Sequence, residues 1–303
     1  MSMSYRPGWL KFIYATLIWP VEALLVTLIF GLLAILPVRL ASFAMGRLFG
    51  LIGPLTPWHK RAEDQMMLAL PDSLPEQRQL WLADMWDNLG RTAGEFMKTR
   101  HMLDKGYIRF EGLHHLDGHE GGFVISAHLG NWEATSMLGP CKGVRTGIIY
   151  RPLNNPYASL LLKRRARSAE ADIYEKGRQA AMGMIATVRK GGFMLLLADQ
   201  QLREGISVPF FGYPAQTAVA HIKLAAKTRK PLFMAQVVRL QGCQTQVSLS
   251  APIYVPETAD EAACHKIATE INQTYEDWIR QHPGQWLWPH RRWGKHLPER
   301  VSE

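Results

Sequence analysis

The sequence predicts an α/β fold: a central mixed, largely parallel sheet flanked by helices, preceded by an N-terminal hydrophobic membrane-anchoring helix. Three observations carry this. Beyond residue 60, short apolar runs of strand length alternate with longer stretches of helical periodicity, as in parallel strands joined by helical crossovers. Two of those runs, "GFVISA" and "FMLLLA", are nearly free of polar residues, as strands covered on both faces are. Between Phe12 and Val38 the only charged residue is Glu22.

The N-terminal stretch comes first. A bilayer core of about 30 Å needs about 20 apolar residues in a helix, and Phe12–Val38 satisfies that as a whole. Apolar residues continue through "LASFAMGRLFGLIGPL", where Arg39 and Arg47 give a segment suited to the membrane interface. A buried core helix and a cleaved leader ending at Ser42-Phe43-Ala44 are the other readings. Glu22, and Arg39 ahead of that site, speak against cleavage. Positive residues flank the apolar stretch on both sides (Arg6 and Lys11, Arg39 and Arg47), so orientation stays open. Composition becomes ordinary after "GPLTPW". Residues 1–57 therefore read as a membrane-associating segment and 58–303 as the α/β domain.

Leu74–Thr99 spaces Leu80, Leu82, Met85, Trp86, Leu89, Ala93 and Phe96 at near-helical intervals, as in a long amphipathic helix. "YIRFEG", "GFVISA", "TGIIY", "FMLLLA", "GISVPFF", "PLFMAQVVRL" and "TQVSLSAPI" read as strands. "NWEATSMLG", "NPYASLLLKRRARS", "GRQAAMGMIATVRKG" and "TAVAHIKLAAKT" read as helices, and a closing helix is capped at Thr258.

Lys and Arg number 35 against 26 Asp and Glu, a surplus that suits an anionic membrane, a phosphorylated substrate or an acidic protein. Nucleic acid is compatible with the charge, but no nucleic-acid-binding module is visible. Cys141, Cys243 and Cys264 form no CxxC and are far apart, against a zinc ribbon or disulfide framework. G-x-S-x-G, G-x4-GK-[ST], G-x-G-x-x-G and HExxH patterns are all missing.

The chemistry gathers at strand ends. Three predicted strands finish on ionisable residues: His128, Arg151 and Asp199. If those strands are parallel, the three side chains emerge at one sheet edge, where open α/β sheets bind ligands. His128 is the natural general base, because imidazole exchanges a proton near neutral pH. It needs an acid on its second nitrogen, and Glu133 and Asp199 compete for that part. Gly130 permits the turn, Asn131 would cap the following helix, and Glu133 would lie in its first turn. Taken alone, His-x4-Glu is a common chance spacing. "KRRAR" is by default a solvated helix face, though it could meet a phosphate or an anionic intermediate. "QWLWPHRRWGK" reads as core packing with surface charge, or as an interfacial aromatic belt.

With these residues in hand, the chain resembles the bacterial lipid A secondary acyltransferases, the lauroyl and myristoyl transferases of the wider lysophospholipid-acyltransferase-like superfamily. "SAHLGNWE", "IYRPLNNP", "LLLADQQ", "GISVPFFGYPAQT" and "QWLWPHRRW", in this order, carry the resemblance, which runs from about Leu113 to Pro298. It implies a glycerolipid-acyltransferase-like sheet and transfer of a fatty acyl chain from acyl carrier protein to a hydroxyl of a lipid A precursor. That precursor is a phosphorylated glycolipid at the cytoplasmic face of the bacterial inner membrane. No cofactor or metal is implied beyond the carrier-bound fatty acid. His128, Glu133 and Asp199 would be the catalytic residues, and Asn131, Arg151 and Arg164 would meet substrate. Arg164, or backbone N–H groups near Gly130, would face the oxyanion. In "DQQ", Asp199 is the only carboxylate before Glu204, where some relatives carry more acidic runs. The alternatives are another membrane glycolipid or amino-acid lipid as acceptor, or a membrane-surface protein without catalysis.

Overall fold

The structure is a computed structural model and describes residues 14–150, 155, 169–175 and 177–294. A π-helical turn, Tyr14–Ile18, runs into helix α1 (Trp19–Ile35). Pro20 fits the first turn of α1, where a missing N–H costs nothing, and Pro37 separates α1 from α2 (Val38–Ile52). The stretches Tyr14–Ile35 and Val38–Leu55, 22 and 18 residues, are both long and apolar enough to cross a membrane. Val21, Leu24, Leu28, Leu32 and Ile35 on α1 are exposed, as are Leu40, Phe43, Leu48 and Leu51 on α2.

Helix α2 is nevertheless tied to the rest of the chain. Helices α3 (Pro57–Ala69) and α4 (Pro75–Glu95) follow, and α2 lies along α4 at very short range. A Cβ on Gly90 would stand 2.2 Å from the Met45 carbonyl oxygen, and one on Gly94 2.5 Å from that of Ala41. Glycines four apart on one helix face thus let two backbones touch, the device seen where apolar helices pair. The expected division after residue 57 therefore falls between elements in close contact.

After a 3-10 turn (Phe96–Lys98) and helix α5 (Thr99–Asp104) come strands β1 (Ile108–Glu111), β2 (Gly122–Ser126), β3 (Thr146–Tyr150), β4 (Ala171–Glu175), β5 (Phe193–Leu197), β8 (Leu232–Arg239) and β9 (Thr245–Leu249). They form one sheet in the order β1-β9-β8-β2-β5-β3-β4. β8, β2, β5, β3 and β4 run parallel, and β9 with β1 is reversed at one edge. β6 (Ile206–Phe210) and β7 (Tyr213–Thr217) make a separate antiparallel hairpin. Apolar clusters cover both faces, one built on α3, α4 and the closing helix, the other on α5 and the segment after β2. β2 is buried along its whole length, as a central strand covered on both faces must be.

Several expectations shift. "NWEATSMLG" is a 3-10 turn (Trp132–Met137) leading to the short α6 (Leu138–Lys142). The predicted long helix stops at Glu95. β4 and β7 had no counterpart in the sequence reading: β4 is partly exposed at the sheet edge, and β7 carries Pro214. Helices α7 (Arg178–Arg189) and α8 (Ala220–Thr228) lie where periodicity placed them. The closing helix α9 (Glu261–Gln281) is capped by Asp260, whose side chain accepts from the Ala263 N–H at 2.8 Å, and not by Thr258. The helix expected over 155–168 lies outside the described residues except for Asn155.

Candidate active site

β2 and β5 are adjacent and parallel, so the residues just beyond them leave the sheet side by side. The pairing continues past β5, with the Ala198 N–H on the Ser126 carbonyl. His128 and Asp199 follow at once. His128 Nδ1 lies 2.7 Å from Asp199 Oδ1, and the His128 backbone N–H donates to Asp199 Oδ2 at 2.9 Å. Trp286 Nε1–H donates to the same Oδ2 at 2.8 Å. Of the two acids in competition, Asp199 partners the imidazole.

Asp199 is 2 % exposed. Burial pushes its carboxyl up, but the His128 charge and the hydrogen bonds from His128 and Trp286 outweigh that and hold it at about 2. An ionised carboxylate only accepts, so in the neutral imidazole Nδ1 carries the hydrogen and Nε2 keeps its lone pair. Gln200 Nε2 stands 3.2 Å from that nitrogen and donates to it. The Trp132 ring lies beside the imidazole, tilted, with centroids 5.3 Å apart.

Further along the chain, Gln285–Leu287 runs beside the turn that follows His128. The Leu287 N–H donates to the His128 carbonyl, Leu129 and Trp286 form a bridge, and the Gly130 N–H donates to Gln285. Gly130 has φ +56°, and a Cβ there would sit 2.7 Å from the Val237 carbonyl oxygen. Its N–H is thus committed to Gln285, which removes it from the oxyanion donors expected of this turn. Trp286, Trp288 and Trp293 are buried, so the tryptophans of this segment belong to the core and not to an interfacial belt.

Asn131 is also placed otherwise than expected. It is fully buried and does not line the cavity described below. Its amide N–H donates to Glu95 Oε2 at 2.6 Å, and its Oδ1, the atom that would accept a capping N–H, makes no capping bond. Arg151 and Arg164 lie outside the described residues. Sequence reasoning missed Trp286 and Gln200. Trp286 was legible only as one tryptophan among several, and Gln200 as the residue after a strand-end acid.

His128 and Glu133 open on a cavity of about 680 Å³. Its walls are mostly apolar, including Ile148, Ile149, Met184 and Leu195, with Gln200 and Gln201 on the polar side. His221 also lines it. Burial lowers the His221 imidazole to about 4, and its Nε2 has no hydrogen-bond partner among the described residues. Among the described residues, no group of three or more His, Cys, Asp or Glu side chains is placed to hold a metal ion.

The sequence profile of the bacterial lipid A biosynthesis acyltransferases matches residues 13–295. The chain belongs to that family. Membership in the lipid A acyltransferase family carries acyl transfer, with an acyl donor and a glycolipid acceptor. The chain is also similar to the crystal structure of the 1-acyl-sn-glycerophosphate acyltransferase of Thermotoga maritima. That likeness is 12% identical with a TM-score of 0.40, over 86% of this chain and 98% of that one. No curated protein sequence matches the chain.

Proposed function

We propose that this acyltransferase moves a fatty acyl chain from acyl carrier protein to a hydroxyl of a lipid A precursor, at the cytoplasmic face of the inner membrane, with His128 as general base. The observation that carries the reading is the His128–Asp199 pair at the polar end of an apolar cavity. Asp199 fixes the tautomer, so Nε2 accepts the proton of the acceptor hydroxyl once that hydroxyl takes the place of the Gln200 amide. The hydroxyl oxygen attacks the thioester carbonyl directly and the carbon–oxygen bond forms. The carbon–sulfur bond then breaks, and the imidazolium returns its proton to the leaving thiolate.

Asp199, ionised and buried, supports the imidazolium while it exists. The apolar cavity receives the acyl chain, and removal of that chain from water favours binding. Glu133 lines the same cavity and faces the acceptor. Arg151 and Arg164 meet the acceptor's phosphate or the developing oxyanion, as the resemblance implies. No metal or organic cofactor takes part; the carrier-bound fatty acid is the donor. The formal charge of +9 suits both an acidic carrier protein and an anionic lipid surface.

The test is a product measurement. Full-length protein is incubated with acyl-loaded carrier protein and a tetra-acylated lipid A precursor, and the lipid is weighed by mass spectrometry. Wild type is expected to add one acyl group and His128→Ala to add none. Equal product from both proteins removes His128 as base. No product from folded wild type with any chain length removes this acceptor.

A further inference from the structure

Behind the catalytic turn lies a buried polar cluster that the proposed chemistry does not use. Glu95, the last residue of α4, is 0 % exposed and carries the acid of this cluster. Its Oε1 accepts from Arg239 Nη1 at 2.6 Å and from Ser42 Oγ at 2.6 Å, and its Oε2 accepts from the Asn131 amide at 2.6 Å. Arg239, the last residue of β8, donates its Nε to Asn88 Oδ1 at 2.7 Å and its Nη2 to Thr92 Oγ1 at 3.2 Å. Asn88 in turn donates to the Gly130 and Gln285 carbonyls.

Two buried charges are costly in a fold, and a well-packed apolar pair of the same volume would serve stability at least as well. What this pair does that apolar side chains cannot is aim hydrogen bonds. Through Asn88 and Asn131 they converge on Gly130–Asn131, two residues beyond His128. The Asn131 Oδ1 has no partner among the described residues, so the bond to Glu95 is what orients that side chain. Ser42 ties the same carboxylate to α2, on the side away from the turn.

We infer that Glu95, paired with Arg239, is a positioning residue for acyl transfer: through Asn131 and Asn88 it fixes the turn that aims His128 Nε2 at the reacting hydroxyl. The inference rests on His128 being the base. Small displacements of a catalytic group lower rate steeply while leaving binding intact, so the signature is a loss confined to kcat.

The experiment compares two cuts to one carboxylate in the full chain. Asn131→Ala removes the bond on the turn side, and Ser42→Ala removes the bond on the helix side. Thermal unfolding of each variant sets its folded fraction, and kcat and KM for acyl-loaded carrier protein are measured per folded protein. Asn131→Ala is expected to lower kcat about tenfold or more with KM within about twofold, whereas Ser42→Ala keeps kcat. Glu95→Gln is expected to match Asn131→Ala, and the double variant Glu95→Gln/Asn131→Ala to lose no more than the worse single. If Glu95→Gln does not fold, the Asn131→Ala and Ser42→Ala pair decides alone. Equal kcat for Asn131→Ala and Ser42→Ala, or additive losses in the double variant, overturns the inference. His128→Ala, assayed alongside, separates the two failures. If His128→Ala is inactive while Asn131→Ala turns over like wild type, only the positioning role falls. If His128→Ala is active, the base itself was misassigned.

Discussion

Asp199 depends on a donor far away in sequence. Trp286→Phe keeps the ring's bulk and removes the N–H on Oδ2, leaving a buried carboxylate oxygen with the His128 backbone bond alone. The expected cost is about 1–3 kcal/mol of stability together with a fall in kcat, read by thermal unfolding and steady-state kinetics. Acid stability separates into two windows. His221 is held down to about 4 by burial from an ordinary value of 6.5, so between those values the unfolded chain binds a proton that the folded chain refuses. Stability therefore falls as pH drops from about 6.5 to about 4, with His282 and His290, also lowered by burial, acting in the same direction. Asp199, held at about 2, contributes stability above its usual 3.8 and loses it as pH falls through about 2. Thermal unfolding of His221→Gln across pH 4–6.5 is expected to show a shallower slope than wild type; an unchanged slope would remove His221 from that window.

His128 and Asp199 were legible in the sequence because each interrupts an apolar strand run at its end, while the choice between Glu133 and Asp199 as partner was not. Trp286 and Arg239 were not, since they meet their partners across 87 and 144 residues. Glu95 left one trace: it continues the buried stripe of Leu82, Met85 and Thr92 where an apolar residue would be expected.

Among elements, the α2–α4 contact makes a clear demand. Gly90→Ala directs a methyl at a backbone carbonyl, and neither helix can yield without separating, so a loss of about 1–3 kcal/mol is expected. Gly31→Ala on α1 meets nothing within 4 Å and is expected to be neutral or slightly stabilising. Thermal unfolding in detergent checks both, and equal behaviour would mean that α2 does not rest on α4 as described. The sequence foretold parallel strands and their helices wherever runs were apolar and uninterrupted. It foretold least where pairing is local to an edge: β4 is half-exposed, and β7 holds a proline inside a hairpin. Strand order was beyond reach, because β5 enters between β2 and β3 only after both have been laid down in the chain.

For the molecule as a whole, the exposed apolar faces of α1 and α2 predict retention on lipid. Replacing Leu40, Phe43, Leu48 and Leu51 with glutamine removes exposed apolar side chains of α2 and leaves Ala41, Gly46, Met45 and Phe49, which meet α4, unchanged. In vesicle flotation the variant is expected to shift toward the unbound fraction. Retention equal to wild type would assign the membrane contact to α1 alone.

The bond from Trp286 to Asp199 also sets a clock. The apolar helices leave the ribosome first and His128 well after them, but the indole that completes the site is made about 160 residues later still, some 10–30 s at ordinary rates of synthesis. Throughout that interval the nascent chain can engage lipid while its imidazole waits for a finished partner.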